Sequence, residues 1–339
     1  MEWTIMKRLI GVIAVVAAGW GLMAWYYQDA APVDSVDGQE SKFAIERGKP
    51  GQDAKPAAFD GKQAMKYLES LCALGPRISG SAAMRKQQEI IKKHFEGLGA
   101  KVQFQTFTAK QNSVRGIVEM TNIIISFQPE MKRRVILCSH YDTRPIADQE
   151  PDPRDWRKPF LSANDGGSGV ALLMELGNHM KDLKTHVGVD FVIFDGEEYI
   201  FETEGAKKDR YFIGSEHFAK TWKQTKNRCE YTAAILLDMI GGKQIRFPLE
   251  VNSYRFFPKL CEEIWGIASE QNVKAFVPYR GHEVQDDHLS LQKAGIPAID
   301  IIDFDYVHWH KLADTPANCS GESMEQVAKV LSVWLQRTK

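Results

Sequence analysis

The sequence predicts an α/β fold in which a mixed, mostly parallel central sheet is flanked by helices on both faces. Strand-like and helix-like stretches largely alternate along the chain, the order that feeds a sheet sandwiched between helices. Several of the strand-like runs are continuously apolar and β-branched, as strands covered on both faces should be. Acidic residues and histidines fall just after these runs, at the carboxyl ends of strands, where open α/β sheets place their sites.

Apolar residues at helical spacing predict helices over 62–72 and 84–98, the second closed by Gly97 and Gly99. Strands follow over 102–107, 121–127 and 135–138. A helix over 169–180 opens after the glycine-rich stretch Asn164-Asp165-Gly166-Gly167-Ser168-Gly169. The run Val189-Asp190-Phe191-Val192-Ile193-Phe194 reads as a buried strand. A short helix over 215–221, a strand over 233–237, a helix over 258–271, a strand over 298–302 and a closing helix over 324–336 complete the pattern.

A chain of 339 residues is long enough for one large domain or two smaller ones. With 43 basic and 44 acidic residues the formal net charge is -1, which gives no footprint for nucleic acid or an anionic membrane surface. Cys72, Cys138, Cys229, Cys261 and Cys319 are widely spaced and form no C-x-x-C pair, so neither a zinc finger nor a dense disulfide framework is expected.

At the N-terminus, Lys7-Arg8 precede an uncharged run over 9–27 that contains Trp20, Trp25, Tyr26 and Tyr27. Its length is close to the ~20 residues that span a bilayer, and its positive flank keeps the N-terminus cytoplasmic. The expectation is a membrane anchor within 1–29, with the remainder exported to the periplasmic or extracellular side. A cleaved secretory signal is the alternative and would leave the protein secreted. Residues 30–58, rich in Pro, Gly, Asp, Gln and Lys, read as a flexible linker. One domain over 59–339 follows.

The residues that suggest chemistry are Asp165, Glu197, Glu198, Asp238, Asp286 and His310. Asp165, Glu198 and His310 offer two carboxylates and an imidazole, the three protein ligands that a catalytic zinc usually takes while keeping one position open. Glu197 and Glu198 are adjacent, and successive side chains on an extended backbone point opposite ways. One can bind metal while its neighbour handles protons. Taken singly, each has a plainer reading: a capped turn at Asp165, a solvated acidic turn at Glu197-Glu198, an ordinary histidine at His140 or His310. His308 competes with His310 for the ligand role. Cys138 with His140 could be a nucleophile and its base, and Lys207-Lys208-Asp209-Arg210 reads as a solvated loop. The stretch around Ser168 is not a G-x-S-x-G elbow, because Val170 stands where the last Gly should be.

His140-Tyr141-Asp142-Thr143-Arg144-Pro145, Asn164-Asp165-Gly166-Gly167-Ser168-Gly169, Asp195-Gly196-Glu197-Glu198, Leu236-Leu237-Asp238-Met239, Asp286-Asp287-His288 and Trp309-His310 together resemble the zinc aminopeptidase clan M28. Within it the chain most resembles the glutaminyl cyclases of the animal and bacterial α/β type. Three features favour cyclase over peptidase. They are the stretch Val284-Gln285-Asp286-Asp287-His288, Trp309 directly before His310, and the insertion between Glu198 and Asp209-Arg210-Tyr211-Phe212-Ile213-Gly214-Ser215.

The resemblance implies one zinc bound by Asp165, Glu198 and His310. It implies Glu197 as proton shuttle, and Asp238 and Asp286 as the acidic network around it. Val284, Gln285 and Trp309 would line the pocket for the N-terminal glutamine of a peptide or protein. Two departures bear on substrate packing. The insertion carries Phe201 and Thr203 with no Trp, and the loop 303–307 does not obviously supply the Phe found in relatives. No Cys near Ala171 matches Cys138, so the animal disulfide is not expected.

Two other functions remain open. A two-zinc aminopeptidase would place a second ion on His140, Asp165 and Asp238, about 3.5–4 Å from the first. A membrane-tethered binding ectodomain that has lost catalysis should show missing ligands, and here none is missing.

Overall fold

The computed structural model describes residues 54–226 and 228–339. The expected anchor over 1–29 and most of the expected linker lie outside the described residues. Among the described residues no helix is long and apolar enough to cross a membrane.

The chain opens with α1 (Gly61–Cys72) and α2 (Ala82–Gly97). Each starts on a side-chain cap: Asp60 accepts from Lys62 N and Gln63 N, and Ser81 accepts from Met84 N. Strands β1 (Lys101–Ala109), β2 (Val118–Phe127) and β3 (Arg133–His140) follow, then α3 (Gly169–His179) and β4 (Gly188–Phe194). The second half supplies α4 (Ile213–Gln224), β5 (Glu230–Asp238), β6 (Phe247–Leu249), α5 (Val251–Phe256), α6 (Pro258–Glu270), β7 (Phe276–Arg280), α7 (Asp287–Ala294), β8 (Ala298–Ile302) and α8 (Gly321–Arg337).

Six strands form the main sheet in the order β1-β2-β4-β3-β5-β8. The pairs β4–β3, β3–β5 and β5–β8 are parallel, while β1–β2 and β2–β4 are antiparallel. This is the mixed, mostly parallel sheet the sequence predicts. Alternate residues of the central strands feed two cores. Val135, Leu137, Phe191, Ile193, Ile235 and Ile301 pack with α1, α2, α3, α6 and α8. Ile136, Cys138, Val192, Phe194, Ala234 and Leu236 pack with α4 and α7. Helices therefore cover both faces.

The sequence reading missed β6 and β7, which pair with each other in a small separate sheet. It also missed α5 and α7, and it placed α4 too short. These elements are brief, and α7 is acidic at its start, so apolar periodicity has few residues on which to register. They build the side of the molecule that carries Val284 to Asp286.

At the end of the sheet remote from His140 and Asp238, Arg134 and Asp190 are both buried. The guanidinium donates to Asp190 Oδ2 at 2.8 Å and Oδ1 at 2.6 Å, and to the carbonyls of Gln128 and Phe127. Tyr231 Oη donates to Asp190 at 2.6 Å. A buried pair with its hydrogen-bonding capacity filled is tolerated, but removing one partner strands the other charge. Arg134→Leu is expected to lower the unfolding free energy by about 3–5 kcal/mol, read by denaturant titration. Tyr231→Phe, which leaves the ion pair intact, should cost about 1 kcal/mol.

Candidate active site

Strand ends deliver the site. His140 is the last residue of β3 and Asp238 the last of β5. Glu197 and Glu198 lie in the turn just after β4, and His310 lies in the loop after β8. Asp165 sits in a tight turn over Ala163–Ser168 that leads into α3. Gly166 in that turn has φ +75°, and a Cβ there would lie 2.6 Å from His140 Cε1. Gly169 faces Ser139 and the Leu237 carbonyl, which a Cβ would meet at 2.7 Å. The glycines thus let Asp165 approach the ends of β3 and β5.

Every acid and histidine singled out from the sequence is in or beside this cluster, except His308. His310 Nε2 is 3.3 Å from Glu198 Oε2 and 3.6 Å from Asp165 Oδ2. Asp165 Oδ2 is buried and has no hydrogen-bond donor among the described residues. One ligand atom from each of Asp165, Glu198 and His310 falls within 4.8 Å of the others. Two carboxylate oxygens and an imidazole nitrogen converging on a bare oxygen fit a zinc ion. His140 Nε2 lies 3.0 Å from Asp165 Oδ1 and 3.3 Å from Asp238 Oδ1, so His140, Asp165 and Asp238 converge as well.

Glu197 Oε2 lies 3.8 Å from His140 Nδ1, and one ligand atom from each of His140, Glu197 and Glu198 falls within 4.8 Å of the others. Burial pushes the Glu197 carboxyl well above the usual carboxylate range. His140 opposes this, and Asp286, Glu198 and Asp287 add to it. Asp286 is raised in the same way, by burial and then by Asp238 and Asp287. Asp286 thus sits close enough to act on Glu197, and Asp238 close enough to act on Asp286.

His308 stays outside and packs its ring against Tyr306. Cys138 is buried, its thiol directed at the Ile235 carbonyl and pushed up by burial, so it is no thiolate nucleophile.

Beside the acids lies a small apolar cluster of Met239, Val284, Ile302 and Tyr306, with Phe304 and Trp309 packed on it. Trp309 and His310 have ring centroids 4.1 Å apart, and Phe304 lies 5.1 Å from Trp309. The loop 303–307 therefore does supply a phenylalanine, Phe304, contrary to the expectation above. Gln285 is exposed, next to buried Val284.

Several supporting residues were not legible in the sequence. Asp142 accepts the backbone N–H groups of Glu197 and Glu198, each at 3.1 Å. Asp314 accepts those of Asn164 and Asp165 at 2.8 and 3.1 Å. Asp209, expected in a solvated loop, is buried and accepts from Ser113, Phe201 N and Glu202 N, holding the insertion in place. Asp148 lies 3.0 Å from His310 Nδ1 and takes two hydrogen bonds from Arg144. Burial opposes its charge, yet His310 and Arg144 hold its carboxyl down at about 2. The Arg144–Asp148 spacing was the only sequence signal for it. His310 itself adopts φ 51°, a left-handed backbone held by these contacts.

The model of peptidase family M28 matches residues 122–335. A crystal structure of Fimbriiglobus ruber glutaminyl cyclase superposes with a TM-score of 0.83 at 50% identity, covering 86% of this chain and 100% of that one. A leucine aminopeptidase precursor from Bacteroides thetaiotaomicron superposes with a TM-score of 0.78 at 28% identity, covering 85% and 100%. The glutaminyl-peptide cyclotransferase of Gloydius blomhoffii is 25% identical over 290 residues, covering 77% of this chain and 76% of its own length.

An acceptor on the far nitrogen of a metal-bound imidazole fixes its tautomer and raises its basicity. Asp148→Asn is therefore expected to weaken zinc affinity about 10–100-fold, measured by competition with a chromogenic chelator. Equal affinity in variant and wild type would show that Asp148 does not orient His310.

Proposed function

The chain belongs to peptidase family M28 and, within it, to the glutaminyl cyclases, and we propose that it converts N-terminal glutamine of peptides or proteins to pyroglutamate with release of ammonia. The observation that carries this reading is the convergence of Asp165, Glu198 and His310 as one ligand set, with the Glu197 carboxylate beside it and near His140. Asp165, Glu198 and His310 would hold a single zinc. Bound there, it would supply Lewis-acid polarisation of a carboxamide carbonyl.

The remaining work falls to the chain's own residues. The substrate's α-amine nitrogen forms a bond to the carbonyl carbon (Cδ) of its own γ-carboxamide, and the bond from that carbon to the amide nitrogen breaks. Glu197 takes the proton that the amine gives up and returns it to the departing nitrogen, which leaves as ammonia. Its raised proton affinity suits a group that must both accept and release. Asp286 would keep that proton local by adding negative charge beside Glu197, and Asp238 does the same beside Asp286. Val284, Gln285 and Trp309, with Phe304 behind Trp309, would hold the glutamine side chain near its own amine.

A second reading has one observation in its favour, the convergence of His140, Asp165 and Asp238. Two zinc ions and an activated water would then make an aminopeptidase. Products separate the two. A Gln-initiated peptide that loses only ammonia supports cyclisation, whereas free amino acids released from Gln- and Leu-initiated peptides support the peptidase. Mass spectrometry of both incubations reads this directly. The run over 9–27 leads us to propose that the domain is exported and tethered.

Glu197→Gln is expected to abolish turnover while zinc content, read by elemental analysis, stays at the wild-type level. Loss of zinc in that variant would mean that the two glutamates exchange roles. The attacking amine must be neutral, and its free pKa is about 7.7–8.0. The deprotonated fraction grows with pH, so kcat/KM should rise from about pH 6 to about pH 8. A flat profile with chemistry limiting would contradict attack by the neutral amine.

A further inference from the structure

A buried acid outside the cluster, Glu250, ties together the chain segments that carry Val284 and Asp286. It caps α5, with Oε1 accepting from Asn252 N at 2.9 Å and Oε2 from Ser253 N at 2.6 Å and Ser253 Oγ at 2.7 Å. The same Oε1 accepts from Val284 N at 2.9 Å. Asn252 Nδ2 donates to the Val284 carbonyl at 3.1 Å, so both backbone polar groups of Val284 are engaged. Ser253 Oγ accepts from Asp300 N on β8 at 3.0 Å. His288, in the first turn of α7, places Nε2 3.4 Å from Glu250 Oε2 and Nδ1 3.8 Å from Asp300 Oδ2.

The stretch 281–285 is neither helix nor strand; backbone bonds to Leu249 and Val251 hold it at Gly281 and His282, and at Val284 the partners are the side chains of Glu250 and Asn252. It ends at Asp286, the cap of α7, whose side chain accepts from Asp287 N. One carboxylate therefore fixes Val284, two residues before Asp286, against α5, with His288 of α7 beside it. We propose that Glu250 is a positioning residue for the cyclisation, setting the location of Asp286 and of the Val284–Gln285 wall without touching substrate.

The chemistry of the carboxylate explains why this residue type is used. Its two oxygens accept from four donors, and charge-assisted hydrogen bonds are the stronger kind. A glutamine has one acceptor oxygen, so it would turn its NH₂ toward either the Asn252 and Val284 pair or the Ser253 pair. Buried donors left unpaired in this way push the segment out of place. Burial opposes the charge, but His288, Ser253 and Val284 N hold the Glu250 carboxyl down at about 2, so it stays ionised across the pH range of an assay. A displacement of about 1 Å at a reacting site can cost about 10²-fold in rate.

The proposal rests on reading Asp286 as a partner of Glu197, and its test separates the two. Full-length wild type, Glu250→Gln, Asp286→Asn and the double variant are assayed on a Gln-initiated peptide, with zinc content measured in each. The expected result is a kcat lowered by about tenfold or more in Glu250→Gln, at unchanged zinc content. The double variant should be no more than about twofold slower than Asp286→Asn alone, because residues that act through one another are not additive. A residue that only stabilises the fold would leave the kcat of the folded fraction unchanged and add independently.

If Glu250→Gln does not fold, Asn252→Ala, which removes the bond to the Val284 carbonyl and the one accepted from Arg255, takes its place in the same cycle with a several-fold loss expected. Unchanged kcat, or full additivity, in the folded variant overturns the proposal while leaving the cyclase reading intact. A wild type that releases no ammonia overturns the cyclase reading and this proposal with it.

Discussion

The structure depends on managing many buried carboxylates at one end of a sheet. Asp142, Asp165, Glu198, Asp238, Asp286, Asp287, Asp300 and Asp314 are all buried, and the cations among them are few. Isolated charges in such a place are costly, so each acid must find hydrogen-bond donors, a counter-ion, a proton or a metal.

The acids divide by how that requirement is met. Asp142, Asp209, Asp314 and Glu250 accept backbone N–H groups and hold loops in shape. Asp148 meets it with Arg144 and His310. Asp165, by contrast, keeps an oxygen without a donor, and Glu197 has only a distant histidine nitrogen facing its Oε2. Acids saturated by backbone donors build the frame. The same contrast explains why a polar residue type that is elsewhere a surface feature serves here as internal scaffolding.

How much of this the sequence made legible follows from the range of each interaction. The central strands were readable because each is a run of apolar, β-branched residues buried on both faces. The acids at their ends were readable because they follow directly on those runs. The scaffold acids were not, because Asp314 meets Asn164 and Asp165 from 149–150 residues away and leaves no local pattern. Glu250 likewise reaches Val284 across 34 residues. Asp209 looked solvated because its neighbours Lys207, Lys208 and Arg210 are charged and exposed. Phe304 was overlooked although it stands in the loop, since only packing against Trp309 gives it significance.

The proposed cyclisation requires one metal ion on Asp165, Glu198 and His310 and a Glu197 left free of it. Anomalous diffraction at the zinc edge from crystals of the purified protein tests it most directly. The account predicts a single strong peak at ligand distance from those three side chains and from neither Glu197 nor His140. A second peak of comparable height between His140 and Asp238, or a peak bonded to Glu197, would contradict it.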